Sequence, residues 1–179
     1  MWGTTGPAGH DGGVPDDVHP LDDPADASAL RDHATALADG IEAAIPAWVE
    51  RSTRRVLGDQ GIPVDAALAD DIAGAAEAAR ADGAPRVRAL LLSDVDDQAG
   101  NPLAIVRSLV RHPTVVLRRA GARPVVRVEF DERSFPDDVY GLTPASFADL
   151  DPSLHDPGMT WGAAKAYVHL ARRRREGRR

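Results

Sequence analysis

Asp26 to Gly58 reads DASALRDHATALADGIEAAIPAWVERSTRRVLG, and the spacing of its apolar residues decides the fold class. Leu30, Ala34, Leu37, Ile41, Ala44, Ile45, Trp48 and Val49 recur at steps of three and four, which is one face of an α-helix. Asp26 or Ser28 can cap its start. Pro46 falls inside the pattern, where it deletes a backbone bond and crowds the preceding turn. The expectation is therefore a kink, or a break with Pro46 opening a second helix that ends near Gly58. Arg51, Arg54 and Arg55 lie away from Trp48 as a small basic face, of the kind that is ordinarily solvated.

Upstream, residues 1–25 are rich in Gly, Pro and Asp and show no apolar period. Such a segment cannot offset the entropy of ordering, so it reads as a disordered acidic arm with Trp2 as its one sticky group. Downstream, Asp65 is the expected cap of a helix carrying Leu68, Ile72, Ala75 and Ala79 inward and closing at Gly83. Pro85 then opens a short helix through Val87, Leu90, Leu91 and Leu92; by run length this could be a strand, but Ala and Leu outnumber β-branched residues. Pro102 and Pro113 each sit at a plausible first helical position, with Asn101 as the cap before the first. Leu103, Val106, Leu109 and Val110 make one apolar face, and Val115, Val116 and Leu117 a shorter one closed by Gly121. Arg107, Arg111, Arg118 and Arg119 point outward and, with Arg123 and Arg127, form a second basic surface. Glu129, Asp131 and Glu132 follow directly, so pairing within the chain is the simplest account.

Glu129 to His169 differs from the rest. It holds six of the eight aromatic residues and the only lysine, Lys165. Val125 to Phe130 alternates weakly and is the best strand candidate. Pro136 forces Phe135 extended, and Asp137-Asp138 can cap a turn bearing Val139 and Tyr140. Thr143-Pro144 reads as a helix start, with Phe147 and Leu150 inward. Thr160 caps a last helix whose apolar face is Trp161, Ala164, Tyr167, Val168 and Ala171, with Lys165, His169 and Arg172 opposite. Aromatic anchors, caps and proline-set turns account for most of this stretch.

Composition narrows the function. The chain has 179 residues, enough for one domain with a real core, and no cysteine, which excludes disulfides and thiolate chemistry. No apolar run approaches the roughly 20 residues of a membrane span, and the N-terminal residues lack a signal-peptide pattern, so a cytoplasmic setting is expected. The net charge is −7, yet Leu170 to Arg179 carries six arginines against Glu176 alone. That basic tail, Arg172, Arg173, Arg174, Arg175, Arg178 and Arg179, is a candidate phosphate binder; cations completing a helix C-terminus are the plain alternative.

Complete catalytic motifs are missing. The loop Asp94 to Asn101 (DVDDQAGN) follows a calcium loop for three positions only: Gly100 falls one place late, and Ile105 stands where a bidentate Glu belongs. The glycines near 58–61 lack the Lys-Ser/Thr of a phosphate loop. Asp137, Asp138, His155, Lys165 and His169 could serve acid–base chemistry only if the fold brings them together. No metal or other cofactor is expected.

The wording FPDDVYGLTPASFADLDPSLHDPGMTWGAAKA resembles that of small uncharacterised actinobacterial proteins. Twenty arginines against one lysine agree with such a GC-rich source. The resemblance implies no activity, cofactor or partner.

The chain is thus expected to be mainly α: a single-domain bundle of about six to eight short helices over 26–171, with a Pro/Asp-rich irregular aromatic segment near the C-terminus. Residues 1–25 form an arm and 172–179 a basic tail. The expected function is that of a non-enzymatic cytoplasmic interaction or regulatory protein with a protein partner. Asp137, Asp138, Tyr140, Trp161, Lys165 and His169 form the candidate interaction surface. The alternative is a nucleic-acid- or ribosome-associated protein binding through its tail; a third reading is an enzyme using the Asp137–His169 region.

Overall fold

Pro46 does not end the first helix. In the computed structural model, which describes residues 24–93, 101–125 and 138–154, α1 runs unbroken from Pro24 to Asp59 with Pro46 inside it. At 1.5 Å per residue its 36 residues span about 54 Å. The helix starts ahead of the expected caps at Asp26 and Ser28, with proline at its first position. An interior proline costs about 3 kcal/mol. Ile41 and Ile45 before it and Trp48 and Val49 after it are all buried, so packing on both sides offsets that cost and the helix continues.

The turn after α1 follows from glycine. Gly61 takes a positive φ of 67°, which lets the Ile62 amide donate back to the Leu57 carbonyl at 2.9 Å. Pro63 then prevents continuation, and Asp65 caps α2 (Ala66–Leu91) by accepting from the Leu68 amide at 2.8 Å. The same closure recurs after α4, where Gly121 has φ 76° and the Ala122 amide donates to Leu117 at 3.0 Å. Gln60 ties the two ends together: its amide nitrogen donates to the Arg123 carbonyl and its oxygen accepts from the Arg123 amide, at 2.8 and 2.7 Å.

The expected stop at Gly83 and restart at Pro85 are corrected, because α2 passes through both. Gly83 is a packing residue: a Cβ there would lie 2.6 Å from Leu109 Cδ1 and 3.3 Å from Ile45 Cδ1. Pro85 and Ala81, whose carbonyl loses its partner, are both exposed, so water can replace the missing bond.

Asn101 caps α3 (Pro102–Ser108) as expected, accepting from the Leu103 amide at 2.9 Å. α4 (Arg111–Arg119) begins ahead of Pro113, which falls among the first-turn positions whose amides have no intrahelical partner. α1 and α2 make the main layer, with α3 and α4 packed against α2 and α4 also reaching α1. Leu37, Ile41, Ile45, Leu57, Ile72, Val87, Leu91, Leu109 and Leu117 fill the space between them.

The architecture is therefore mainly helical, but two continuous long helices stand where a kink or break at Pro46 and a restart at Pro85 were expected. The described residues hold four α-helices and two 3-10 turns, Phe147–Asp149 and Pro152–Leu154. The arm, the calcium-like loop, the strand candidate beyond Val125, the last helix and the tail lie outside the described residues. No described helix is long and apolar enough to cross a membrane.

Candidate functional site

Among the described residues, two surfaces between elements could do chemistry or recognition, and they differ in how their polar groups are used. The first is the seam where residues 138–154 lie on α1, a cleft of about 490 Å³ walled by Trp48, Arg51, Ser52 and Arg55 on one side and residues 141–145 on the other. Arg51 Nη2 donates to the Leu150 and Asp149 carbonyls at 2.8 and 3.1 Å, and Arg55 Nη2 donates to the Gly141 carbonyl at 3.2 Å. From α3, Arg107 donates through Nε to the Pro144 carbonyl and through Nη2 to the Ala145 carbonyl, both at 2.9 Å. Arg51 and Arg55 are exposed, as expected of a solvated face, and in addition clamp backbone carbonyls. Arg107 also clamps backbone carbonyls; the acidic residues after Arg127, with which pairing was expected, lie outside the described residues.

The expected surface residues can now be placed. Asp138 is 3% exposed, and its two oxygens accept from the Leu142 and Thr143 amides at 2.8 and 2.7 Å. Tyr140 is 2% exposed and donates its hydroxyl to the Ala122 carbonyl at 3.1 Å. Both sit in the interior, where burial requires their polar groups to be bonded. Asp137, Trp161, Lys165, His169 and the six tail arginines lie outside the described residues.

The same bonds explain why Thr143-Pro144 does not start a helix. The Pro144 and Ala145 carbonyls, which would accept the first intrahelical bonds, are held instead by Arg107, while Asp138 holds the Thr143 amide. The Thr143 hydroxyl is buried without a hydrogen-bond partner instead of capping. Helical structure begins only at Phe147. Ahead of it, the Ser146 amide and hydroxyl donate to Asp149 Oδ2, at 2.7 and 3.3 Å.

The second surface is a groove of about 500 Å³ between α2 and α4. Asp70 and Asp71 stand on the α2 rim, Arg111 and Arg119 on the α4 rim, and Gly74, Ala75, Val115 and Val116 lie between. Val115 is 49% exposed, against the expectation that it faces inward with Val116 and Leu117. Three consecutive apolar residues subtend about 200° of a helix, and the core side of α4 takes only two. A Cβ added at Gly74 meets nothing within 4 Å, so the groove is open there.

One end of the groove is closed by charge. Asp82 Oδ2 accepts from Arg111 Nη2 at 2.6 Å and shares a hydrogen bond with His112 Nε2 at 3.2 Å, while Arg86 Nη1 stands 3.6 Å from Oδ1. Burial alone would raise the Asp82 carboxyl. The hydrogen bond to His112 and the charges of Arg111 and Arg86 outweigh it and hold the group below its ordinary value.

A third cluster joins α1 to α2. Arg88 donates to Asp39 at 2.5 Å and Glu42 at 3.0 Å, and Arg80 donates to Glu42 at 3.3 Å and Glu77 at 3.0 Å. These are half-exposed pairs that orient the helices and add little stability. Among the described residues no group of three His, Asp or Glu could hold a metal ion.

The groove was missed in the sequence, although two signals point to it: the Val115-Val116-Leu117 run is too wide for one buried face, and Asp70-Asp71 lies on an otherwise Ala-rich helix. Comparison with family models, curated proteins and solved structures finds no match.

Proposed function

We propose that the chain is a non-enzymatic cytoplasmic interaction or regulatory protein, and that the groove between α2 and α4 is where it binds. The observation that carries this reading is the half-exposed Val115 set between an acidic and a basic rim. Apolar centres with charged edges are the usual plan of a protein-recognition surface, the centre contributing affinity and the edges setting orientation. The seam along α1 supports the same assignment by contrast, since its arginines already hold the chain's own carbonyls. In this reading the helical domain 26–171 carries the docking face, and 1–25 and 172–179 are its arms.

Affinity purification from the source cell, with and without nuclease, tests the assignment. A protein retained by the native chain, lost with Val115→Glu and indifferent to nuclease is the expected result. Equal retention by both chains would sink the groove as the binding face.

The second reading rests on the tail, where six arginines fall within ten residues. It places nucleic acid or ribosomal RNA against Arg172 to Arg175, Arg178 and Arg179, with binding that weakens steeply as salt rises. Truncation after Ala171 should abolish that binding; a salt-independent or tail-independent complex would overturn it.

A further inference from the structure

The charge arrangement of the groove says which partner fits it. One rim is acidic, Asp70 and Asp71, and the other basic, Arg111 and Arg119. Consider a second copy laid face to face on this surface. A two-fold axis lying in the face and running along the groove places the α2 rim of one copy over the α4 rim of the other. Acid then meets base on both edges at once. An axis running across the groove would set acid on acid and base on base, so the charges also select the orientation. We propose that the occupant of the groove is a second copy of this chain, forming a symmetric dimer with Val115 at its centre; this rests on the reading of the groove as the docking face.

Three observations make the second copy the best-matched partner. The surface is self-complementary, which is the requirement of an isologous interface. Val115 is exposed in the single chain and would be covered by its symmetry mate. The floor at Gly74 has open space above it, allowing an approaching side chain to enter. Arg111 is already paired with Asp82 at one end of the groove, so Asp71 and Arg119, which have no ion pair among the described residues, supply the clearest contrast for a test.

Sedimentation equilibrium of the full chain, from about 10 µM to about 1 mM, covers the range where a weak dimer assembles. The mass should rise toward twice the monomer value. Asp71→Arg sets an arginine opposite Arg119 of the symmetry mate, and Arg119→Asp sets an aspartate opposite the mate's Asp71. Each should self-associate at least roughly tenfold more weakly, because two attractions become two repulsions. An equimolar mixture of the two variants should dimerise again, now as a heterodimer, and the double variant should regain self-association because the charges at positions 71 and 119 are merely exchanged. Far-UV circular dichroism checks that each exposed variant keeps its helices. A native chain that stays monomeric throughout, or a dimer that ignores both reversals, overturns the proposal. If the native chain is monomeric while Val115→Glu still loses a cellular partner, only the second copy fails; if neither binds, the groove reading fails with it.

Discussion

The helical body and the segment 138–154 are built by different means. In the body, apolar faces meet across α1 and α2, and Ile41, Ile45, Leu57 and Ile72 are fully buried. The segment contributes Tyr140, Leu142, Leu150 and Leu154 to the same core. It is placed, however, by three arginines gripping five carbonyls and by one buried carboxylate holding two amides. Apolar packing is non-directional and tolerates sliding, whereas charge-assisted hydrogen bonds require particular atoms. A body can be specified by a period; a segment without regular structure has to be specified bond by bond.

Removing one residue from each side of this contrast should give different outcomes. Ile45→Ala strikes the body between α1 and Gly83, and should lower the unfolding free energy by about 2–5 kcal/mol in a denaturant titration. Asp138→Ala leaves the Leu142 and Thr143 amides without their acceptor, a loss of about 2–4 kcal/mol. Amide exchange should show that second loss at residues 140–154 while α1 and α2 keep their protection. Equal acceleration in both would mean that segment and body open as one unit.

Glycine sharpens the comparison within the body. Gly83→Ala gains helix propensity yet meets Leu109 and Ile45, so a net loss of about 1–2 kcal/mol is expected. Gly58→Ala meets nothing within 4 Å and should instead gain about 0.5–1 kcal/mol. Thermal melts of the pair would expose any error, since the two shifts have opposite sign.

The smallest effect is electrostatic. The Asp82 carboxyl is held below its ordinary value of about 3.9, so its contribution is present above that value and lost as pH falls through the lower, folded one. Stability should therefore decline on acidification in that window, and Asp82→Asn should flatten part of the decline. Denaturant titrations from neutral pH into the acid range would show it; an unchanged profile would mean that Asp82 is not coupled to folding.

Legibility in the sequence followed the same division. The faces of α1 and α3 could be read because each inward residue repeats every three or four places, and the caps at Asp65 and Asn101 because they immediately precede the apolar patterns of α2 and α3. Gly83 misled because a glycine that ends a helix and one that admits a neighbouring leucine look alike in one dimension. Pro85 signals a helix start and Pro46 a kink or break by local cost alone, whereas the packing that carries each helix through its proline has no local signal. Arg51, Arg55 and Arg107 were invisible as clamps, since their carbonyl partners lie 37 to 99 residues away and a carbonyl has no sequence identity. The same distance hid the groove, whose rims come from helices about 40 residues apart.

Leu154 rests over Gly40, where a Cβ would come within 2.5 Å of its Cδ2. Arg51 grips residues 149 and 150, and Arg55 grips 141, so the segment runs antiparallel to α1 with three fixed marks along the helix. The helix therefore acts as a ruler and the segment as a key cut to it. A key with three teeth cannot be moved by one notch without losing all three together. Insertion or deletion of a single residue between Leu142 and Asp149 should thus be harder for this protein to absorb than the loss of any one of its clamping arginines.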